Sequence, residues 1–275
     1  MPYAGISRRD ALRTAACIAG SALLPVAVGA GPANPMPLKL GLQSYTLRDR
    51  TFAKMLQAMH KDLKLHYVEL YMSHLFPSSA PPILESAREQ LASADVKAIS
   101  FGVVGFTNDH DANRKLFEFA KTMGMTNISA DPNPDSFESL DKLVDEYNIT
   151  VAIHDHGPGH RYGKISQIWE AVKDHNPKIG LCNDTGHFIR AGQDPLEACE
   201  KFKDRLYAVH LKDFKPKGND WEDCVLGDGK LKLDSILQWL LAHHFTGGAF
   251  IEYEGPDPLG ITLECIKRSQ TAFSR

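Results

Sequence analysis

From residue 38 to residue 270 the chain alternates eight short apolar runs with eight amphipathic stretches, and that alternation most limits the folds open to it. The runs are 38-LKLGLQS-44, 66-HYVELY-71, 96-VKAISFG-102, 126-TNISA-130, 150-TVAIHD-155, 178-KIGLCND-184, 206-LYAVHL-211 and 248-GAFIEY-253. Short apolar runs bounded by turn signals are the pattern of buried strands. Helical stretches lie between them, near 52–63, 82–94, 110–123, 136–147, 165–175, 195–203, 232–243 and 259–270. Pro134-Asp135-Ser136 and Asp194-Pro195 place caps and an N1 proline where helices should begin. Eight strands, each followed by a helix, predict an α/β chain folded as a single (β/α)8 TIM barrel over residues 38–275. A doubly wound sheet satisfies the same alternation, and the strand-end chemistry below favours the barrel. The longest irregular segment, 212-KDFKPKGNDWEDCVLGDGKLK-232, is expected to be an active-site loop after the seventh strand.

The first residues read differently. The stretch 7-SRRDALRTAACIAGSALLPVAVGAGPANP-35 has paired arginines, a modest apolar run and then small residues before a proline-rich segment. It resembles a twin-arginine export signal, expected to occupy residues 1–33, to be cut near Ala30 or Ala33, and to send the chain to the periplasm. The run between Arg13 and Gly29 is short for a membrane span and contains Pro25, so no membrane association is expected after removal.

Composition narrows the partners. The formal charge is −3, and the signal holds Arg8, Arg9 and Arg13 against Asp10, so the remaining body carries 28 basic and 33 acidic residues. Affinity for nucleic acid comes largely from Lys and Arg neutralising phosphates, so an acidic body argues against such a partner. A small-molecule carbohydrate is expected instead, with homo-oligomerisation left open. Outside the signal, Cys182, Cys199, Cys224 and Cys265 form no C-x-x-C pair and so neither a disulfide framework nor a zinc ribbon.

Barrel active sites are built at the C-terminal ends of the strands, where side chains alternate between the axis and the surrounding helices. In 151-VAIHDHGPGH-160 the large residues Val151 and Ile153 face outward, which turns Ala152, His154 and His156 inward. The same phase turns Gly180, Cys182 and Asp184 inward in the sixth strand, and Ala208 and His210 in the seventh, with Tyr207 outward. In the eighth it turns Phe250, Glu252 and then Glu254 inward. Four successive strands thus bring His154, Asp184, His210 and Glu252 to the axis. Mixed imidazole and carboxylate ligation suits one divalent ion, Mn, Co, Fe or Zn in preference to Mg or Ca. Glu69 in 67-YVELY-71 also points inward between aromatics, as an acid/base of raised pKa or as a buried structural carboxylate. His160 and Arg161 lie beyond the Gly-Pro-Gly turn and read as a mobile rim.

The runs 182-CNDTGH-187, 209-VHLKD-213 and 250-FIEYEG-255 resemble the metal-binding strands of the xylose-isomerase-like barrels. That group takes in sugar isomerases and epimerases, hydroxypyruvate isomerases and the endonuclease IV type of abasic-site nuclease, and the likeness spans residues 38–270. In its epimerase branch the resemblance implies one metal held by Glu, Asp, His and Glu, with two glutamates exchanging the substrate's protons. Asp184, His210 and Glu252 match that pattern. The fifth strand departs from it: His154-Asp155-His156 stands where the epimerases carry a glutamate followed by Asn-His.

The resemblance implies an enzyme that removes the proton α to a carbonyl through a metal-stabilised enediolate, with Glu252 as first candidate base. His187 is a candidate to bind substrate oxygen or relay a proton. His156 is expected on the substrate side, and Lys212 and Asp213 either hold substrate hydroxyls or form an ion pair. Isomerase or epimerase chemistry is the default. A lyase or hydratase on 3-keto-glycosides needs no matched carboxylates, so the fifth-strand histidine suits it. Phosphodiester hydrolysis and non-catalytic sugar binding remain as other classes.

Overall fold

Each of the eight apolar runs forms a strand. In a computed structural model, which describes residues 38–273, they are β1 (Lys39–Gln43), β2 (Tyr67–Leu70), β3 (Lys97–Phe106), β4 (Asn127–Pro132), β5 (Thr150–His154), β6 (Ile179–Asp184), β7 (Leu206–Leu211) and, last in the chain, β10 (Gly248–Ile251). All pair in parallel in chain order, and β1 pairs with β10 to close the barrel. The segment read as an export signal lies outside the described residues. Among those residues, no helix is long and apolar enough to cross a membrane.

The surrounding helices are α1 (Phe52–Ala58), α2 (Pro81–Ser93), α3 (His110–Thr122), α4 (Phe137–Tyr147), α5 (Ile165–Val172), α6 (Thr185–Arg190), α7 (Pro195–Lys201), α8 (Leu233–Ala242) and α9 (Pro258–Phe273). The α7 start is as expected, with Pro195 at its first position and Asp194 accepting from the Leu196 N–H at 2.9 Å. The α4 start is not. Pro134–Ser136 form a short 3-10 turn, and the Ser136 hydroxyl donates to the Asn133 carbonyl instead of capping α4. The sequence reading also lacked α6. The expected irregular loop after β7 contains an antiparallel hairpin, β8 (Phe214–Lys217) with β9 (Asp220–Asp223).

The inward and outward phases separate two apolar clusters. Ala152, Cys182, Ala208 and Phe250 pack together inside the barrel, while Val151, Ile153, Ile179, Leu181, Val209, Leu211 and Ile251 belong to the core between strands and helices. Tyr207 departs from its expected outward position. Leu181 pairs with Leu206 while Cys182 pairs with Ala208, so Tyr207 is the extra residue of a bulge and packs against the inner cluster. Ile99 does the same on β3, where Val68 pairs with Ala98 and Glu69 with Ser100.

Candidate metal centre

Strand tilt brings the four axial residues to one level. His154 pairs with Cys182, two residues before Asp184, which pairs with His210. His210 in turn pairs with Phe250, two residues before Glu252. Climbing two residues twice around the wall offsets the stagger of a closed barrel. The four buried side chains each offer one ligand atom, all within 4.8 Å of one another. His154 Nε2 lies 3.4 Å from Asp184 Oδ2 and 3.1 Å from His210 Nδ1, which lies 3.0 Å from Glu252 Oε2.

These residues fit a metal ion. Asp184 Oδ2 and Glu252 Oε2 are buried acceptors with no hydrogen-bond donor, an arrangement that a cation satisfies. Charge points the same way. The carboxylates of Asp184 and Glu252 are buried at the centre while the nearby Lys212 ammonium is already bonded to Glu254, so a cation there would offset negative charge. Burial opposes ionisation of Asp184 and Glu252, but Lys212 and the neighbouring imidazoles outweigh it and hold both pKa values below the usual carboxylate range.

Asp184 has two tasks. Its Oδ1 accepts the His187 N–H at 2.8 Å and caps α6, leaving Oδ2 for the centre. Gly186 belongs to the same turn because a Cβ there would stand 2.8 Å from Lys212 Cγ and 2.9 Å from the Phe214 ring. Behind Asp184, Asp155 Oδ1 accepts the Asp184 N–H at 2.9 Å. Burial, then the Asp184 charge, push the Asp155 pKa well up.

A cavity of about 350 Å³ opens above the four residues. His154 and Glu252 form part of its lining, with His156, His160, His187 and Glu254 around them and Gln43, Tyr45 and Tyr71 opposite. The tyrosine rings meet edge to face at 5.0 Å. Burial lowers the His187 pKa to about 4 and, with the charge of His154, that of His156 to about 3, so both imidazoles are neutral at pH 7. His187 stacks on Phe214, the first residue of the hairpin.

A family model described as xylose isomerase-like TIM barrel matches residues 57–269. The chain belongs to that family. An inosose dehydratase of Clostridium botulinum is 28% identical over 141 residues, covering 46% of this chain and 47% of the relative. The chain thus aligns with about half the length of the curated relatives it matches. A solved structure from Parabacteroides distasonis superposes with a TM-score of 0.68 at 26% identity, covering 86% of this chain and all of that one. A 3-keto-D-glucoside 4-epimerase from E. coli shares the fold at 14% identity, with a TM-score of 0.67 and coverage of 85% and 99%.

At this xylose isomerase-like site the structure chooses between the alternatives left open for Glu69 and Lys212 and corrects the expectation for Asp213. Glu69 points inward, but its surroundings are polar and its pKa is lowered, not raised. Burial works to raise it, and His210, Ser100 and Ser129 more than compensate. Lys212 is fully buried and forms the ion pair, not the substrate contact: its Nζ bonds Glu254 Oε1 and lies 3.7 Å from Glu252 Oε2. Asp213 turns away from the cavity. Its two oxygens accept the backbone N–H groups of Gly227, Gly229, Lys230 and Leu231, each at 2.9 Å, and fasten the loop after the hairpin. The sequence reading missed Gln43, Tyr45, Ser100 and Ser129. Gln43 and Ser100 stand in predicted strands with Glu69's inward phase, a signal that was available.

Proposed function

We propose that this chain is a metal-dependent enzyme acting on a neutral sugar or related hydroxy-carbonyl compound, beginning with removal of the proton α to a carbonyl. The convergence of His154, Asp184, His210 and Glu252 at the floor of the cavity carries this reading. These four residues would hold the ion, with Mn, Co, Fe or Zn preferred for their mixed nitrogen and oxygen set. When bound, the ion supplies Lewis-acid polarisation of a carbonyl. Glu252 and Glu254 are the carboxylates that line the cavity. We assign proton abstraction to Glu252, with Lys212 set between the two. The neutral imidazoles of His156 and His187 are placed to hydrogen-bond substrate oxygens. Among the described residues no Lys or Arg lines the cavity, which supports an uncharged substrate over a sugar phosphate.

The imidazole of His154 supports elimination as the outcome. Epimerisation with two matched glutamates needs a glutamate at the fifth-strand position that His154 occupies, and the adjacent Asp155 is turned to the Asp184 N–H. Loss of a group from the carbon β to the carbonyl, as in a lyase or hydratase on 3-keto-glycosides, needs one base to take the α proton, while the β C–O bond breaks and the leaving oxygen picks up a proton. The likeness to inosose dehydratases supports the same direction. The paired arginines near the N-terminus support an exported, periplasmic enzyme.

The test is NMR in D2O of residues 36–275 with metal and candidate 3-keto-glycosides or keto-sugars. Deuterium entering next to the carbonyl, with release of the aglycone or water, is the expected result. Inversion without release indicates epimerisation. Cutting of abasic-site DNA with no exchange in any keto-sugar overturns the reading.

A further inference from the structure

The half of the barrel that holds no candidate ligand is organised around one of them. Gln43 on β1, Glu69 on β2 and Ser100 on β3 are successive register partners, and Asn127 on β4 is the partner of Ser100. Their side chains, with that of Ser129, form one buried network that ends on His210. Glu69 Oε1 takes the Gln43 Nε2–H at 2.6 Å and lies 2.7 Å from His210 Nε2. Glu69 Oε2 takes the hydroxyls of Ser100 at 2.5 Å and Ser129 at 2.6 Å. Four donors therefore occupy a carboxylate that has no exposed surface.

The outer partners fix which way each hydrogen points. The Tyr45 N–H donates to Gln43 Oε1 at 3.0 Å, which leaves the Gln43 amide nitrogen to face Glu69. Asn127 Nδ2 donates to Ser100 Oγ at 2.9 Å and Ser129 Oγ at 3.3 Å, while the Thr150 hydroxyl has Asn127 Oδ1 at 2.8 Å and the Thr126 carbonyl at 3.2 Å as acceptors for its one hydrogen. A hydroxyl has one hydrogen, so a serine oxygen that accepts from Asn127 sends its own hydrogen to Glu69. Glu69 is left only as an acceptor, and the His210 ring must give it the Nε2 proton.

We infer that Gln43, Ser100 and Ser129, acting through Glu69, are positioning residues that lock His210 with its proton on Nε2 and its Nδ1 lone pair toward the metal. The inference rests on the proposed reading only in taking His210 as a ligand. Partners of this kind fix the tautomer and raise the affinity of a ligating histidine, and losing them weakens metal binding about 10–100-fold. Two serine hydroxyls buried in the barrel, outside the lining of the cavity, thereby set metal affinity.

The experiment measures zinc affinity by competition with a chromophoric chelator in the whole chain and in its S100A/S129A variant, with circular dichroism as the check on folding. The variant is expected to bind zinc about 10–100-fold more weakly. Wild-type protein with one equivalent of zinc should show, by 15N NMR, a histidine bound through Nδ1 with a slowly exchanging Nε2 proton. A folded variant with affinity within about twofold of wild type, or a His210 that carries its proton on Nδ1, overturns the inference. Ser129→Ala alone and the wild-type spectrum serve where the double variant does not fold. Turnover is not the readout, so unchanged zinc affinity removes this inference alone, whereas a wild-type chain that takes up no metal removes the metal reading with it.

Discussion

His210 Nδ1 and Glu252 Oε2 lie 3.0 Å apart, and the Glu252 oxygen is a buried acceptor without a donor. Because the other His210 nitrogen is engaged by Glu69, the pair and the facing His154 and Asp184 atoms could together hold a cation. Glu252→Gln and His154→Ala are therefore expected to lose metal while remaining folded. Elemental analysis after dialysis, beside circular dichroism, checks this. Full metal retention in His154→Ala would remove His154 from the ligand set.

Asp213 gives a different expectation. Its four backbone hydrogen bonds hold the loop from Gly227 to Leu231. Asp213→Ala removes the acceptor of four backbone donors, of which the Leu231 N–H is buried, at a cost of about 1–3 kcal/mol. Denaturant titration should show the lower stability, with metal content unchanged. A variant as stable as wild type but with raised KM would restore Asp213 to the substrate side.

The strands and the four axial residues were legible because both depend on local alternation: Val151 and Ile153 outward force His154 inward, whatever the rest of the chain does. The fates of Lys212 and Glu69 depend on partners distant in sequence. Lys212 meets Glu254 from β10, and Glu69 meets His210 from the opposite wall, neither of which alternation within one strand can reveal. The α6 helix was missed because Thr185-Gly186 reads as a turn, although Asp184 three residues before His187 is a helix cap.

Stability should depend on pH through Asp223, which latches the hairpin to the Glu254 N–H at 2.8 Å. Burial raises its pKa from 3.8 to about 7, although that hydrogen bond works the other way. Between these values the folded chain keeps a proton that the unfolded chain has lost. Its contribution to stability is therefore greatest below pH 3.8, falls as pH rises, and levels off above about 7. Asp223→Asn keeps an acceptor for Glu254 without the buried charge. Its Tm is expected above wild type at pH 8, with the difference shrinking toward pH 4. An equal difference at both pH values would contradict this.

Asp155 supplies one acceptor to the Asp184 N–H, a task that an amide performs equally well. Asp155→Asn is expected to keep metal affinity within about twofold of wild type, whereas Asp155→Ala, which loses the acceptor, should weaken it. Chelator competition separates the two. Loss of metal in the Asn variant would show that the carboxyl itself is required.

The central claim is that one ion held by His154, Asp184, His210 and Glu252 enables proton removal α to a carbonyl. Its most direct test is to strip the protein, add metal back in steps, and follow deuterium entering a 3-keto-glycoside next to its carbonyl in D2O. The exchange rate should rise from near zero in proportion to added metal and level off at one equivalent per chain. Exchange that is equally fast in the stripped protein, or absent at saturating metal with every keto-sugar tried, would contradict the claim.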